Sequence, residues 1–228
     1  MISGATRYSD GEGVMSLSFR HYLYRCPFRR RMDGYIYMIE KELKIMLTAD
    51  DYDRVESLLL SRYKTMQSFI QINYYYDSDD FTNIHSGNTL RIRQIDNLSL
   101  EYKCRKISKD GIRESLEYRK EILHLPKEIL LSEAFALNDN TVYTYLGQLT
   151  TQRTNFVRDN SIISLDKNLY LGIADYELEI ESESVDEIRR VEKSLDLGLP
   201  TNAAGKYSRF YQQLQRWHGN LTTLSAHD

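Results

Sequence analysis

The sequence predicts a mainly β fold with peripheral helices (α+β), in which eight antiparallel strands close into a barrel around a charged tunnel. Three observations lead there. A strand through Ile39-Glu40-Lys41-Glu42-Leu43-Lys44-Ile45 projects Glu40, Glu42 and Lys44 from one face and Ile39, Leu43 and Ile45 from the other. The same alternation returns in Arg91-Ile92-Arg93, Glu101-Tyr102-Lys103-Cys104-Arg105, Glu117-Tyr118-Arg119 and Glu177-Leu178-Glu179. From Tyr35 onward, turn residues divide the chain into short alternating segments of a number that suits a closed barrel.

Taken in order, the strands are expected at 35–47, 70–77, 89–95, 99–106, 113–123, 148–158, 161–167 and 174–182. Asp96-Asn97, Lys109-Asp110-Gly111 and Asp159-Asn160 supply the tight turns of a meander. A helix is expected from Thr48 to Ser61, capped by Thr48 or Asp50, with Val55, Leu58 and Leu59 as its apolar stripe. A second runs from Ser184 to Leu195 and stops before Gly198; a third is expected over Pro126 to Leu137. The last spans Tyr207 to Trp217, with Phe210, Leu214 and Trp217 as its packing face.

If the barrel closes, alternate positions point into one lumen: Glu40, Glu42, Lys44, Arg91, Arg93, Glu101, Lys103, Arg105, Glu117, Arg119, Arg153, Asp166, Glu177 and Glu179. An ordinary small barrel is filled by aliphatic side chains. On any one strand, a charged outer face is an equally good reading. Over five or six strands it weakens, because like-signed pairs recur in order where an outer face would show scattered signs. Unpaired buried ions cost several kcal/mol each, so such a lumen must be wet and must hold counter-ions.

The 228 residues, 41% of them hydrophobic, can bury one substantial core. Acids and bases nearly cancel to a formal charge of −3, so no global basic field argues for a nucleic-acid polymer. The two cysteines, Cys26 and Cys104, make neither a disulfide framework nor a zinc site and point to a reducing, cytoplasmic setting. Cys104 lies between Lys103 and Arg105 and so points away from the lumen. No apolar run is long enough for a membrane span. Residues 1–34 lack the pattern of a signal peptide; they read as a disordered extension, or as a stretch upstream of a natural start at Met32 or Met38. The barrel domain is placed at 35–217, with a tail at 218–228. The phosphate-binding glycine loop of nucleotide-binding folds is absent, and the five histidines have no ligand spacing.

Over roughly residues 36–215 the chain resembles CYTH-domain proteins, also called triphosphate tunnel metalloenzymes, which include class IV adenylyl cyclases, thiamine triphosphatases and inorganic triphosphatases. The resemblance rests on Glu40-x-Glu42-x-Lys44 followed by ordered companions: Leu90-Arg91-Ile92-Arg93, Leu100-Glu101-Tyr102-Lys103, Leu116-Glu117-Tyr118, Gln152-Arg153-Thr154, Ser164-Leu165-Asp166, Tyr176-Glu177-Leu178-Glu179 and Gly205-Lys206-Tyr207-Ser208-Arg209. Tyr74-Tyr75-Tyr76-Asp77 resembles the family's aromatic second strand, and the wording is closest to bacterial members.

The resemblance implies a magnesium or manganese ion facing Glu40, Glu42, Asp166, Glu177 and Glu179, with Glu117 nearby. It implies a triphosphate-containing small molecule held by Lys44, Arg91, Arg93, Lys103, Arg153 and Lys206, and Glu42, Lys44 and Lys206 as catalytic residues. Arginine offers phosphate bidentate contacts, lysine a point charge, and hard divalent ions take carboxylate oxygens. A homodimer is compatible; a nucleic-acid polymer or a membrane is not an expected partner. The expected reaction is metal-dependent hydrolysis, with inorganic triphosphate the favoured substrate. A class IV-type adenylyl cyclase and a non-catalytic polyphosphate- or nucleotide-binding module are the alternatives.

Overall fold

A computed structural model of the chain describes residues 30–32, 34–201 and 203–224. Among these residues ten strands form one sheet: β1 (Arg30–Met32), β2 (Tyr35–Leu47), β3 (Lys64–Asp77), β4 (Thr89–Gln94), β5 (Leu98–Lys109), β6 (Ile112–Ile122), β7 (Glu128–Leu130), β8 (Val142–Arg158), β9 (Ser161–Tyr170) and β10 (Ile173–Glu181). Eight of them close a barrel in the order β2-β10-β9-β8-β3-β4-β5-β6, and β6 returns to β2 through the register Ile36↔Arg119 to Leu43↔Ile112. All barrel pairings are antiparallel. β1 pairs with the start of β2, and β7 pairs with β8, both outside the ring. The expectations for residues 1–29 and 225–228 lie outside the described residues, as does the side chain of Arg105.

All eight expected barrel strands form. β3 and β8 run longer than expected, because Lys64–Phe69 pairs with the far end of β8 and Thr144–Gly147 with the end of β3. Asp110 and Gly111 both take positive φ, of 53° and 80°, as the tight turn between β5 and β6 demands.

Among the described residues five helices decorate the barrel: α1 (Ala49–Arg62), α2 (Thr82–His85), α3 (Leu131–Phe135), α4 (Val185–Leu195) and α5 (Lys206–Leu224). Thr48 caps α1 with a reciprocal capping box to Asp51, and Ser184 caps α4. The helix expected over Pro126–Leu137 is corrected: that segment holds strand β7 and then the five-residue α3, because Ile129 is drawn into pairing with Tyr143 of β8. α5 runs past Trp217, whose side chain is exposed and so drops out of the expected packing face.

The apolar halves of the alternating strands face outward and are covered by helices. Leu43, Ile45, Ile163, Leu165, Leu178 and Ile180 pack beneath Val55 and Leu59 of α1 and Ile188 and Val191 of α4. Leu90, Ile92, Leu100 and Tyr102 pack beneath Leu131 and Phe135 of α3, with Ile129 of β7. Cys104 joins that outer cluster, away from the lumen. Fully burying each such aliphatic side chain contributes roughly 1.5–3 kcal/mol. Outer coverage therefore pays for an interior made of charge. α5 takes the other side of the wall: Tyr207, Phe210 and Leu214 pack on the inward-facing Tyr75 and Leu149, closing one end of the barrel. No described helix is long and apolar enough to cross a membrane.

Candidate functional site

The barrel encloses a cavity of about 940 Å³. Each of the six expected phosphate-binding cations lines it: Lys44 from β2, Arg91 and Arg93 from β4, Lys103 from β5, Arg153 from β8 and Lys206 from the start of α5. Glu40, Glu42, Glu117 and Glu179 line it too, with Arg119, which the sequence placed in the lumen without a role, and Arg113 and Glu181, which it did not place there.

One wall is an arginine fork built on a buried carboxylate. Glu101 is 1% exposed and takes Arg91 at 2.9 Å, Arg93 at 3.5 Å and Arg119 at 3.6 Å. Arg119 also donates to Ser99 Oγ at 2.7 Å. Burial alone would push Glu101 up, but Arg93, Arg91 and Arg119 hold it far below the usual carboxylate range. Three guanidiniums sharing one carboxylate leave a net positive wall aimed at the lumen. Tyr75, fully buried beside this wall, has a hydroxyl with no hydrogen-bond partner among the described residues, and burial pushes its phenol up to about 12. It therefore remains a proton donor at neutral pH.

Strands β2 and β10 carry a group of acids into the same cavity. Glu40, Glu42 and Glu181 bring carboxylate oxygens within 4.8 Å of one another, Glu181 lying opposite Glu42 in the β10–β2 register. Lys44 meets Glu42 at 2.9 Å, and Lys103 meets Glu42 at 3.2 Å and contacts Glu40. Burial raises Glu42, yet Lys103 and Lys44 prevail and hold it at about 2. Glu181 has no ion pair among the described residues. Burial, then Glu40 and Glu179, push it up to about 8. Such a carboxyl needs a proton or a cation. Glu117 is likewise raised to about 7, by burial, Glu40 and Glu101.

A second cluster, Asp166, Glu177 and Glu179, also brings three carboxylates within 4.8 Å, but it is built differently. Asp166 and Glu177, expected to face a metal, lie behind the cavity lining at 0% exposure. Lys206 Nζ lies 2.8 Å from Asp166 and 3.0 Å from Glu179 and contacts Glu177. Arg153 forks onto Asp166 at 2.7 and 2.6 Å and reaches Glu179, and Arg209 meets Glu177 at 2.9 Å. Burial, opposed by Asp166 and joined by Lys44, Arg153 and Arg209, carries Lys206 well below the ordinary lysine range. Against that pull stand three carboxylates in direct contact with its Nζ, and while these are ionised the contacts favour the ammonium.

Asp77 positions this end of the tunnel. It is fully buried and accepts from the backbone N–H groups of Ser78, Asn83 and Ile84 at 2.8, 2.9 and 3.1 Å. The Tyr207 hydroxyl completes the set at 2.5 Å. One carboxylate thus joins the loop after β3, which lines the cavity through Ile84 and Asn88, to the first turn of α5. Of the residues the sequence reading missed, Glu181 carried a signal: it continues the two-residue spacing of Glu177 and Glu179. Arg113 carried one too, sharing the parity of Glu117 and Arg119.

No functionally curated protein matches the chain in sequence. Among solved structures, a candidate adenylate cyclase from Bacillus halodurans is similar with a TM-score of 0.61 and 22% identity, over 77% of this chain and 98% of that one. A candidate adenylyl cyclase from Hippeastrum, described as having a dominant triphosphatase activity, has a TM-score of 0.60 and 21% identity, over 76% and 95% of the two chains. A Pyrococcus horikoshii protein has a TM-score of 0.54 and 22% identity, over 78% and 99%. These likenesses establish the shared tunnel fold. Residues 38–211 match the CYTH domain, which is three-quarters of the sequence and includes every wall of the tunnel, and the chain therefore belongs to the CYTH family.

Proposed function

We propose that the protein is a divalent-cation-dependent hydrolase of a triphosphate-containing small molecule, with inorganic triphosphate the favoured substrate. The observation that carries the reading is that one cavity is lined both by a cationic fork of Arg91, Arg93 and Arg119 and by the carboxylates Glu40, Glu42 and Glu181. A chain of phosphates fits the first wall, because guanidiniums donate bidentately to phosphate oxygens.

The acid cluster suits a hard cation such as magnesium or manganese: its donors are all carboxylate oxygens, and Glu181 has no ion pair among the described residues. This assignment exchanges Asp166, Glu177, Glu179 and the nearby Glu117, which the resemblance implied, for Glu181. When bound, the ion supplies Lewis-acid polarisation of a phosphoryl oxygen and lowers the pKa of a coordinated water. The chain's part is positional and electrostatic. Arg91, Arg93, Arg153 and Lys103 align the phosphates, Lys44 and Lys206 offset charge developing on the leaving group, and the orphaned Tyr75 hydroxyl donates to a phosphate oxygen. Glu101 and Asp166 touch no substrate and hold the arginines in place.

Adenylyl cyclisation is the second reading, favoured by a cavity of about 940 Å³, which accommodates an organic group beside the phosphates. The name of the Bacillus halodurans relative also supports it. The test is incubation with inorganic triphosphate, ATP and thiamine triphosphate, each with magnesium or manganese, followed by phosphorus NMR. Orthophosphate release from inorganic triphosphate is the expected result. Cyclic AMP with pyrophosphate from ATP would replace hydrolase by cyclase, and binding without any product would leave only a binding module.

A further inference from the structure

We infer that the cluster of Asp166, Glu177 and Glu179 is the seat of the chain's own Lys206 ammonium and takes no divalent cation, so that the substrate-free tunnel binds one divalent ion, at Glu40, Glu42 and Glu181. The inference rests on the divalent-cation reading proposed above and goes beyond it by separating two clusters that offer the same donors.

Both clusters present three carboxylates within 4.8 Å, so donor count and spacing do not distinguish them. Charge balance does. In the first, Glu40 and Glu42 share Lys103, Glu42 also meets Lys44, and Glu181 has no ion pair among the described residues. In the second, every carboxylate already has two or three cations in contact. Asp166 meets Arg153 and Lys206; Glu177 meets Lys206 and Arg209; Glu179 meets Lys44, Arg153 and Lys206. A divalent ion entering there would have to take the place of Lys206 Nζ while Arg153, Arg209 and Lys44 stayed around it. Repulsion among like charges at these distances and at this burial is severe.

The fold holds the ammonium in that seat from several sides. Lys206 is the first residue of α5, its neighbour Tyr207 is bonded to the buried Asp77, and Phe210 fills the space beside Gly147. Lys206 nevertheless lines the cavity, so a phosphate lying over this cluster meets a tethered ammonium where the other wall offers a metal. The chain supplies the second cation of the site from its own Lys206 side chain.

The test is a manganese titration of the full-length protein without substrate, counting free ion by electron paramagnetic resonance. One ion per chain is expected, with affinity falling at least tenfold in Glu181→Gln and changing less than twofold in Glu177→Gln. In parallel, acetic anhydride labelling of Lys206, read by peptide mass spectrometry, should stay unchanged at saturating manganese. Two ions per wild-type chain, an equal loss of affinity in Glu177→Gln, or a rise in Lys206 labelling on adding manganese would each overturn the inference and leave the metal-dependent reading standing. No bound ion at all would overturn both. The wild-type count and the labelling need no variant, so a Glu177→Gln protein that folds poorly does not remove the test.

Discussion

Tyr207 donates a 2.5 Å hydrogen bond to Asp77, and through it the first turn of α5 is fastened to the end of β3. The two residues are 130 apart in sequence, and the bond sets where the neighbouring Lys206 enters the lumen. Tyr207→Phe removes this one donor and keeps the ring that stacks on Tyr75. The expected cost is about 1.5–3 kcal/mol, the usual loss for a hydrogen bond to a charged group. Urea denaturation measures it, and a variant as stable as the parent would show that α5 is held by packing alone.

Glu101→Gln should unfold more easily and bind anions more responsively. Removing the carboxylate leaves Arg91, Arg93 and Arg119 without their shared counter-ion, and breaking a buried ionic network from one side costs about 3–5 kcal/mol. A bound polyphosphate supplies the missing charge. The rise in melting temperature on adding tripolyphosphate should therefore be larger in the variant than in the wild type. An equal or smaller rise would mean that the arginines do not meet the anion.

Gly147 is a steric requirement of the α5 contact. A Cβ there would lie 2.7 Å from Phe210 Cζ, and the backbone φ of 153° is itself rarely adopted by other residues. Gly147→Val should cost about 1–3 kcal/mol through overpacking and speed hydrogen exchange in α5 ahead of the barrel strands. Pairing it with Phe210→Leu should recover part of the loss. Unchanged protection of α5 in the single variant would contradict the packing.

Part of the pH dependence of the ligand-free protein follows from Glu117, with Glu181, raised to about 8, acting in the same sense. Burial, then Glu40 and Glu101, raise Glu117 from 4.5 to about 7, against the pull of Lys103 and Arg91. The folded state then holds a proton that the unfolded chain releases, so stability falls as pH rises from about 4.5 to about 7, by on the order of a few kcal/mol. Glu117→Gln should match the wild type near pH 4 and be the more stable protein above pH 7, as read from melting temperatures. Glu42 acts in a separate window: its value near 2 means that stability is lost as pH falls from 4.5 toward 2. A Glu117→Gln protein less stable at pH 8 would show that this carboxyl is already balanced by its lysine and arginine neighbours.

The alternation of Glu40-x-Glu42-x-Lys44, of Arg91-x-Arg93 and of Glu101-x-Lys103 determined by itself that one sheet face is charged and the other apolar. With turn residues such as Asp110-Gly111 it determined a closed antiparallel barrel, but not its ring order: the expected meander is broken where β2 closes between β6 and β10 and β3 pairs with β8. A side-chain period of two is a local property of a strand, so the sequence carries it openly. It did not carry the balance of charge. Glu177 and Glu181 share one face of β10 and are alike in sequence, yet Glu177 meets Lys206 and Arg209 while Glu181 meets no cation among the described residues. Glu101 looked like one more lining acid and is the buried counter-ion of three arginines. The segment over Pro126–Leu137 looked helical until β8 offered it a strand partner. Which carboxylate keeps its charge for a ligand depends on cross-strand register and on where α5 delivers its lysine. Those distances join residues as far apart in the chain as Glu40 and Glu181, or Lys44 and Glu179, and only the closed barrel brings them together.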